Sequence, residues 1–245
     1  MNIRLSVPLV LVTLLTATVV LAQTYPSFPG GETDQRTRRT QEQVEELYMH
    51  GAYDRAYFIY RNELAPRGDK YAQYMIGYMH LTGTGVAEDP AVALAWYRLA
   101  AERGEPSISL AGDELEVTLN PTQIAATDAL FAELKSELSD RVLIIKLIRE
   151  DLDLLRNSPV PGDSRGGSHT LMIDRRYGQM SSGHYYQLIE KRIDARLKYL
   201  KGQVEVVDVG NGSEASELAE IEAEFRRAQG GDWRTSIICR RFVFS

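Results

Sequence analysis

The strongest constraint in this chain is a short turn, Gly83-Thr84-Gly85-Val86, set between two amphipathic runs and followed by Asp89-Pro90. Before it, Ala72, Ile76 and Met79 recur at helical spacing, and after it Ala93, Trp96, Tyr97, Ala100 and Ala101 do the same. The glycines permit a backbone that other residues would strain, and Asp89 followed by Pro90 is an N-cap with proline at the first helical position. Residues 70–104 therefore read as one complete helix–turn–helix unit.

The small residues Ala72, Gly77, Ala93, Ala100 and Ala101 let two antiparallel helices approach closely, while Trp96 and Tyr97 fill wider gaps against a neighbouring pair. Such a pair leaves an apolar face that only another pair covers, so the unit is built to be stacked. With Gly83, Gly85, Asp89 and Gly104, these residues make a pattern that resembles a Sel1-like repeat, a relative of the tetratricopeptide repeat. Ile76 stands where that family usually has Leu, and His80 where an aromatic is common. The resemblance implies an α-solenoid that scaffolds other proteins, and it implies no catalytic residues.

The N-terminus has the plan of a secretory signal peptide: Arg4, an apolar run from Val7 to Leu21, and the small-residue pattern Val20-Leu21-Ala22 before Gln23. The competing reading is an uncleaved anchor, but the run is shorter than the ~20 residues of a bilayer span and carries Thr13, Thr16 and Thr18. Residues 1–22 are thus expected to be cut after Ala22, placing the rest in the periplasm or outside the cell with no stable membrane insertion. Composition is that of a globular protein, 44% hydrophobic and 25% charged, and the net charge of −6 becomes −7 once Arg4 is lost. That acidity argues against nucleic acid as a partner. Cys239 is the single cysteine, so the chain has no internal disulfide, and we read it as a small buried hydrophobe.

Residues 23–40 combine Pro26, Pro29, Gly30 and Gly31 with Arg36, Arg38 and Arg39 and read as a flexible linker. Repeat structure is expected over 41–157, starting with Thr40 as N-cap of a helix through Val44, Leu47 and Tyr48, then a second helix from Tyr53 to Ala65. Glu105-Pro106 and Asn120-Pro121 each open a further helix, and Ser139-Asp140 opens one through Leu155. Residues 158–168 are a Pro/Gly/Ser-rich loop, and 169–245 a C-terminal extension. In it a helix over Tyr185–Leu200, a short strand over 203–209, a helix from Ser213 to Arg227 and a terminal strand over Ser236–Phe244 are predicted, and two roles remain open: a cap on the solenoid or a separate domain. The fold class is mainly α, a short α-solenoid with a C-terminal helical or small α+β extension.

Chemistry is hard to find. His50, His80, His169 and His184 lack metal-ligand spacing, there is no cysteine pair, no phosphate loop and no dinucleotide fingerprint, so neither metal nor cofactor is expected. Gly162-Asp163-Ser164-Arg165-Gly166-Gly167 is similar to the nucleophile loop of chymotrypsin-type proteases, but the inserted arginine displaces the glycine of the oxyanion hole. Glu150, Asp151 and Asp153 are read as a solvated helix rim. In a helix-pair solenoid the first helices line the concave side, which nominates Gln73, Tyr74 and Tyr78, with Tyr48 from the preceding unit, as partner-binding residues. The alternative is that Tyr74 and Tyr78 only pack against adjacent helices. Two functions follow: a non-catalytic scaffold for a protein or peptide of the cell envelope, or an enzyme or enzyme subunit of envelope polymer metabolism with its chemistry after Ser168. Buried, mutually bonded polar groups there would favour the second.

Overall fold

The computed structural model describes residues 35–158, 171–174, 178–207 and 212–229. The expected signal peptide, the Gly162–Gly167 string, His169, Cys239 and the terminal strand lie outside them. The described residues divide into two compact units, one holding residues 36–140 and the other the described residues from 141 to 229.

Every regular element described in the first unit is a helix. Helix α1 (Gln35–Met49) and α2 (Tyr53–Ile59, continued by a π turn at Tyr60–Leu64 and a 3₁₀ turn at Ala65–Arg67) make one pair. Helices α3 (Lys70–Thr82) and α4 (Pro90–Ala100, ending in a 3₁₀ turn at Ala101–Arg103) make the next, and α5 (Pro106–Glu116) and α6 (Pro121–Leu138) each pack against α4. Their shared core runs from Val44 through Ala56, Leu64, Ile76, Leu94 and Ile108 to Leu138. Buried Thr127 of α6 adds a polar tie, donating to the Ala91 carbonyl of α4 at 3.0 Å.

The caps form as the local sequence dictates. The Asp89 carboxylate accepts from the N–H groups of Ala91 and Val92, and Asn120 makes a reciprocal capping box with Gln123. One boundary moves. Helix α1 starts at Gln35, inside the stretch read as linker, and Thr40 is no N-cap: it is buried mid-helix and its hydroxyl donates to the Arg36 carbonyl. Arg36, Arg38 and Arg39 are good helix formers, so the helix extends backward over them until the favourable run ends.

Helix α7 (Asp140–Arg156) begins in the first unit and runs on through the second. There it is followed by an antiparallel hairpin, β1 (Leu171–Asp174) and β2 (Gly178–Ser181), with Leu171 opposite Ser181 and Asp174 opposite Gly178. Helices α8 (Ser182–Val207) and α9 (Gly212–Gln229) complete it. Ile144, Ile148, Leu152, Ile189, Ile193, Ile221 and Phe225 are among its buried apolar residues. The mainly α class with a small α+β extension is therefore what forms, but the strands are β1 and β2. The predicted strand at 203–209 is wrong over 203–207, where α8 continues: elongating an existing helix costs less than starting an unpaired strand. No described helix is long and apolar enough to cross a membrane.

Candidate partner-binding face

The repeat's signature residues do the packing. Ala72, Ala93 and Ala100 have no exposed surface, and Trp96 and Tyr97 are buried beside them. Gly77 is the closest point of the pair: a Cβ there would lie 2.7 Å from the Tyr97 ring and 3.0 Å from the Ala93 carbonyl oxygen. Gly83, Gly85 and Gly104 all have positive φ, at +66°, +72° and +73°. Ala101 starts the closing 3₁₀ turn, which Gly104 ends.

Of the four nominated binding residues the structure opens two. Gln73 is fully buried and donates to the Ala65 carbonyl at 3.3 Å, so it faces the preceding helix and not a groove. Tyr74 is 7% exposed and stacks on Tyr97 with ring centroids 5.2 Å apart and planes 18° from parallel. Helix α3 has neighbours on most of its circumference, so fewer of its positions are open than helical periodicity alone suggests. Tyr78 and Tyr48 are half-buried, each with part of its ring open. Tyr48 also meets Tyr53 edge-on at 5.2 Å. Burial, with the neighbouring hydroxyls of Tyr78, Tyr53 and Tyr74, pushes the Tyr48 pKa up to about 12, so Tyr48 and Tyr78 lie close together with buried Tyr74 beside them.

Acidic side chains border this surface. Partial burial, Asp69 and Glu42 together raise the pKa of Glu45, which in turn helps burial raise that of Tyr71. Asp69 is engaged as N-cap of α3, accepting from the Ala72 N–H and from Gln41 at 2.7 Å.

The least legible feature is an ion cluster. Lys70, 1% exposed, donates to Glu102 at 2.9 Å, to the Leu99 carbonyl at 3.0 Å, and pairs with Asp140 at 3.1 Å. Arg103 grips both Asp140 oxygens, at 2.7 and 3.0 Å, and donates to the Gly68 carbonyl at 2.9 Å. Glu102 also accepts from the Asp140 N–H. Burial alone would raise the Asp140 pKa, but the Arg103 hydrogen bonds and the Lys70 and Arg103 charges outweigh it and hold the carboxyl below its ordinary value. The cluster fastens the start of α3 to the end of α4 and the first residue of α7. No single residue's neighbours in sequence announce it.

The second unit has its own buried polar group. Asp151, read as solvated rim, is 4% exposed and accepts from Arg192 at 2.5 and 3.1 Å and from Arg196 at 2.6 Å. This is the kind of feature an enzyme reading asks for. Its make-up is that of a structural ion pair, since both carboxylate oxygens are committed to guanidinium donors and, among the described residues, no hydroxyl or imidazole is bonded to them. Among the described residues no group of His, Cys, Asp and Glu is placed to hold a metal ion.

Stacked helix pairs with a glycine turn, buried small residues and open tyrosines define a helix-pair repeat of the kind that binds other proteins. Residues 70–105 match the Sel1 repeat model, and that stretch is a Sel1 repeat. Sel1 repeats are interaction modules, which gives the chain a general role in holding other proteins. No solved structure matches the chain.

Proposed function

We propose that this protein is a non-catalytic adaptor of the cell envelope, exported by residues 1–22 and binding a protein or peptide through the face that Tyr48 and Tyr78 share. The observation that carries the reading is the half-open tyrosine pair on a rigid support: Tyr78 lies one helical turn after Tyr74, which is fixed by its stack on Tyr97, so little entropy is lost when a partner covers it. The bordering Glu42 and Glu45 bias the face toward neutral or basic partner segments.

The test is affinity capture from a cross-linked envelope extract with residues 23–245, beside a Tyr48→Ala/Tyr78→Ala variant whose helicity is checked by circular dichroism. A defined protein held by the first and lost at least about tenfold by the folded variant is expected, since aromatic anchors are typical hot spots. The endogenous chain in the same extract is expected to have the mass of a form beginning at Gln23. Equal capture by both forms contradicts the face, and a chain that keeps residues 1–22 contradicts export by cleavage.

A further inference from the structure

Arg61, in the π turn of α2, lies with its guanidinium carbon 5.0 Å from the centroid of the Trp96 ring. Trp96 is 2% exposed and fixed in the core, so it is a rigid platform. Among the described residues the other half-buried or buried arginines, Arg98, Arg103, Arg141, Arg192 and Arg196, each meet a carboxylate. Arg61, also half-buried, differs: among the described residues no carboxylate or carbonyl accepts from its N–H groups, and its partner is the indole face alone. Stacking on an aromatic orients the planar fork and leaves its edge donors free for a planar, bidentate acceptor.

The surroundings exclude the obvious internal candidate. Beside Arg61, the Tyr57 hydroxyl and His80 Nε2 are 3.0 Å apart and satisfy each other. Asp89, the carboxylate that acts on His80, has its Oδ1 engaged by the N–H groups of Ala91 and Val92. Burial is the main reason that His80 sits below the ordinary histidine pKa, and the Arg61 charge adds to it. The locale thus holds a guanidinium charge with no internal counter-charge bonded to it.

We propose that Arg61, held on Trp96, receives the carboxylate of a glutamate or aspartate side chain on a partner protein. The adaptor reading supplies the carrier of that carboxylate, and the contact itself is tested without it. The site uses side chains of α2 and α4, whereas the tyrosine face uses α1 and α3.

The experiment follows Trp96 fluorescence in a Trp233→Phe background, leaving one tryptophan, while N-acetyl-glutamate amide or N-acetyl-glutamine amide is added at fixed ionic strength. The expected result is a saturable change with the glutamate compound, none with the glutamine compound, and half-saturation weakened at least about tenfold by Arg61→Gln, the loss of one charge-assisted pair. An absent or non-saturating response in the Arg61 protein overturns the site, as does an equal response to both compounds. A folded Arg61→Gln protein that responds as before overturns it too. The first two readouts need no change at Arg61, and they distinguish failure of this contact from failure of the tyrosine face.

Discussion

Replacing Asp140 by Ala is expected to destabilise the first unit by about 3–5 kcal/mol, lowering its melting temperature by roughly 12–20 °C, because Lys70 and Arg103 stay buried without their shared carboxylate. Lys70→Met should cost less. It leaves Asp140 in the grip of Arg103, and Glu102, whose side chain is 23% exposed, turns to solvent. The pH dependence carries a further sign. Since the folded Asp140 pKa lies below its unfolded value, its contribution is complete above the ordinary carboxylate range near ~4 and is lost as pH falls through the folded pKa. Thermal melts from pH 7 down to 2 should show that acid-side loss in the native protein and a flatter profile in Asp140→Ala. Equal slopes would show that the cluster does not couple folding to protons.

Gly85→Ala should be similarly damaging, by about 3 kcal/mol, for a reason confined to backbone. A Cβ at this position would stand 2.6 Å from the Tyr53 carbonyl carbon and 2.8 Å from the Tyr53 carbonyl oxygen, atoms that cannot move without displacing the start of α2. The residue also has φ of +72°, which alone costs an alanine about 1 kcal/mol. Gly104→Ala separates the two effects, since φ is +73° there but nothing lies within 4 Å of the added carbon. Urea melts of the two variants should differ by about 2 kcal/mol. A Gly85 variant no worse than the Gly104 variant would mean that the repeat's turn is not wedged against the preceding helix pair.

These two cases mark what could be read from the chain and what could not. The turn, the Asp89-Pro90 and Asn120-Pro121 helix starts and the small-residue seam are local signals, written in adjacent residues, and each forms in the structure. The Lys70 cluster joins groups far apart in sequence, and nothing near Lys70 distinguishes a buried lysine from a solvated one. For the same reason Gln73 was placed on an open face: its acceptor, the Ala65 carbonyl, belongs to a turn whose approach periodicity does not report. Asp151 follows the same rule, its partners lying on α8. Helix ends moved where neighbouring residues left the helix no reason to stop, at Gln35 and through Val207.

The most direct test of the adaptor reading is a photo-cross-linking amino acid placed at Tyr78 and, separately, at Ala132, an exposed position of α6, in the full chain expressed in its own cells. The account predicts that light joins one defined protein to the Tyr78 position and leaves the Ala132 position without it. The same products at both positions, or none at Tyr78 while the protein is folded, would contradict it.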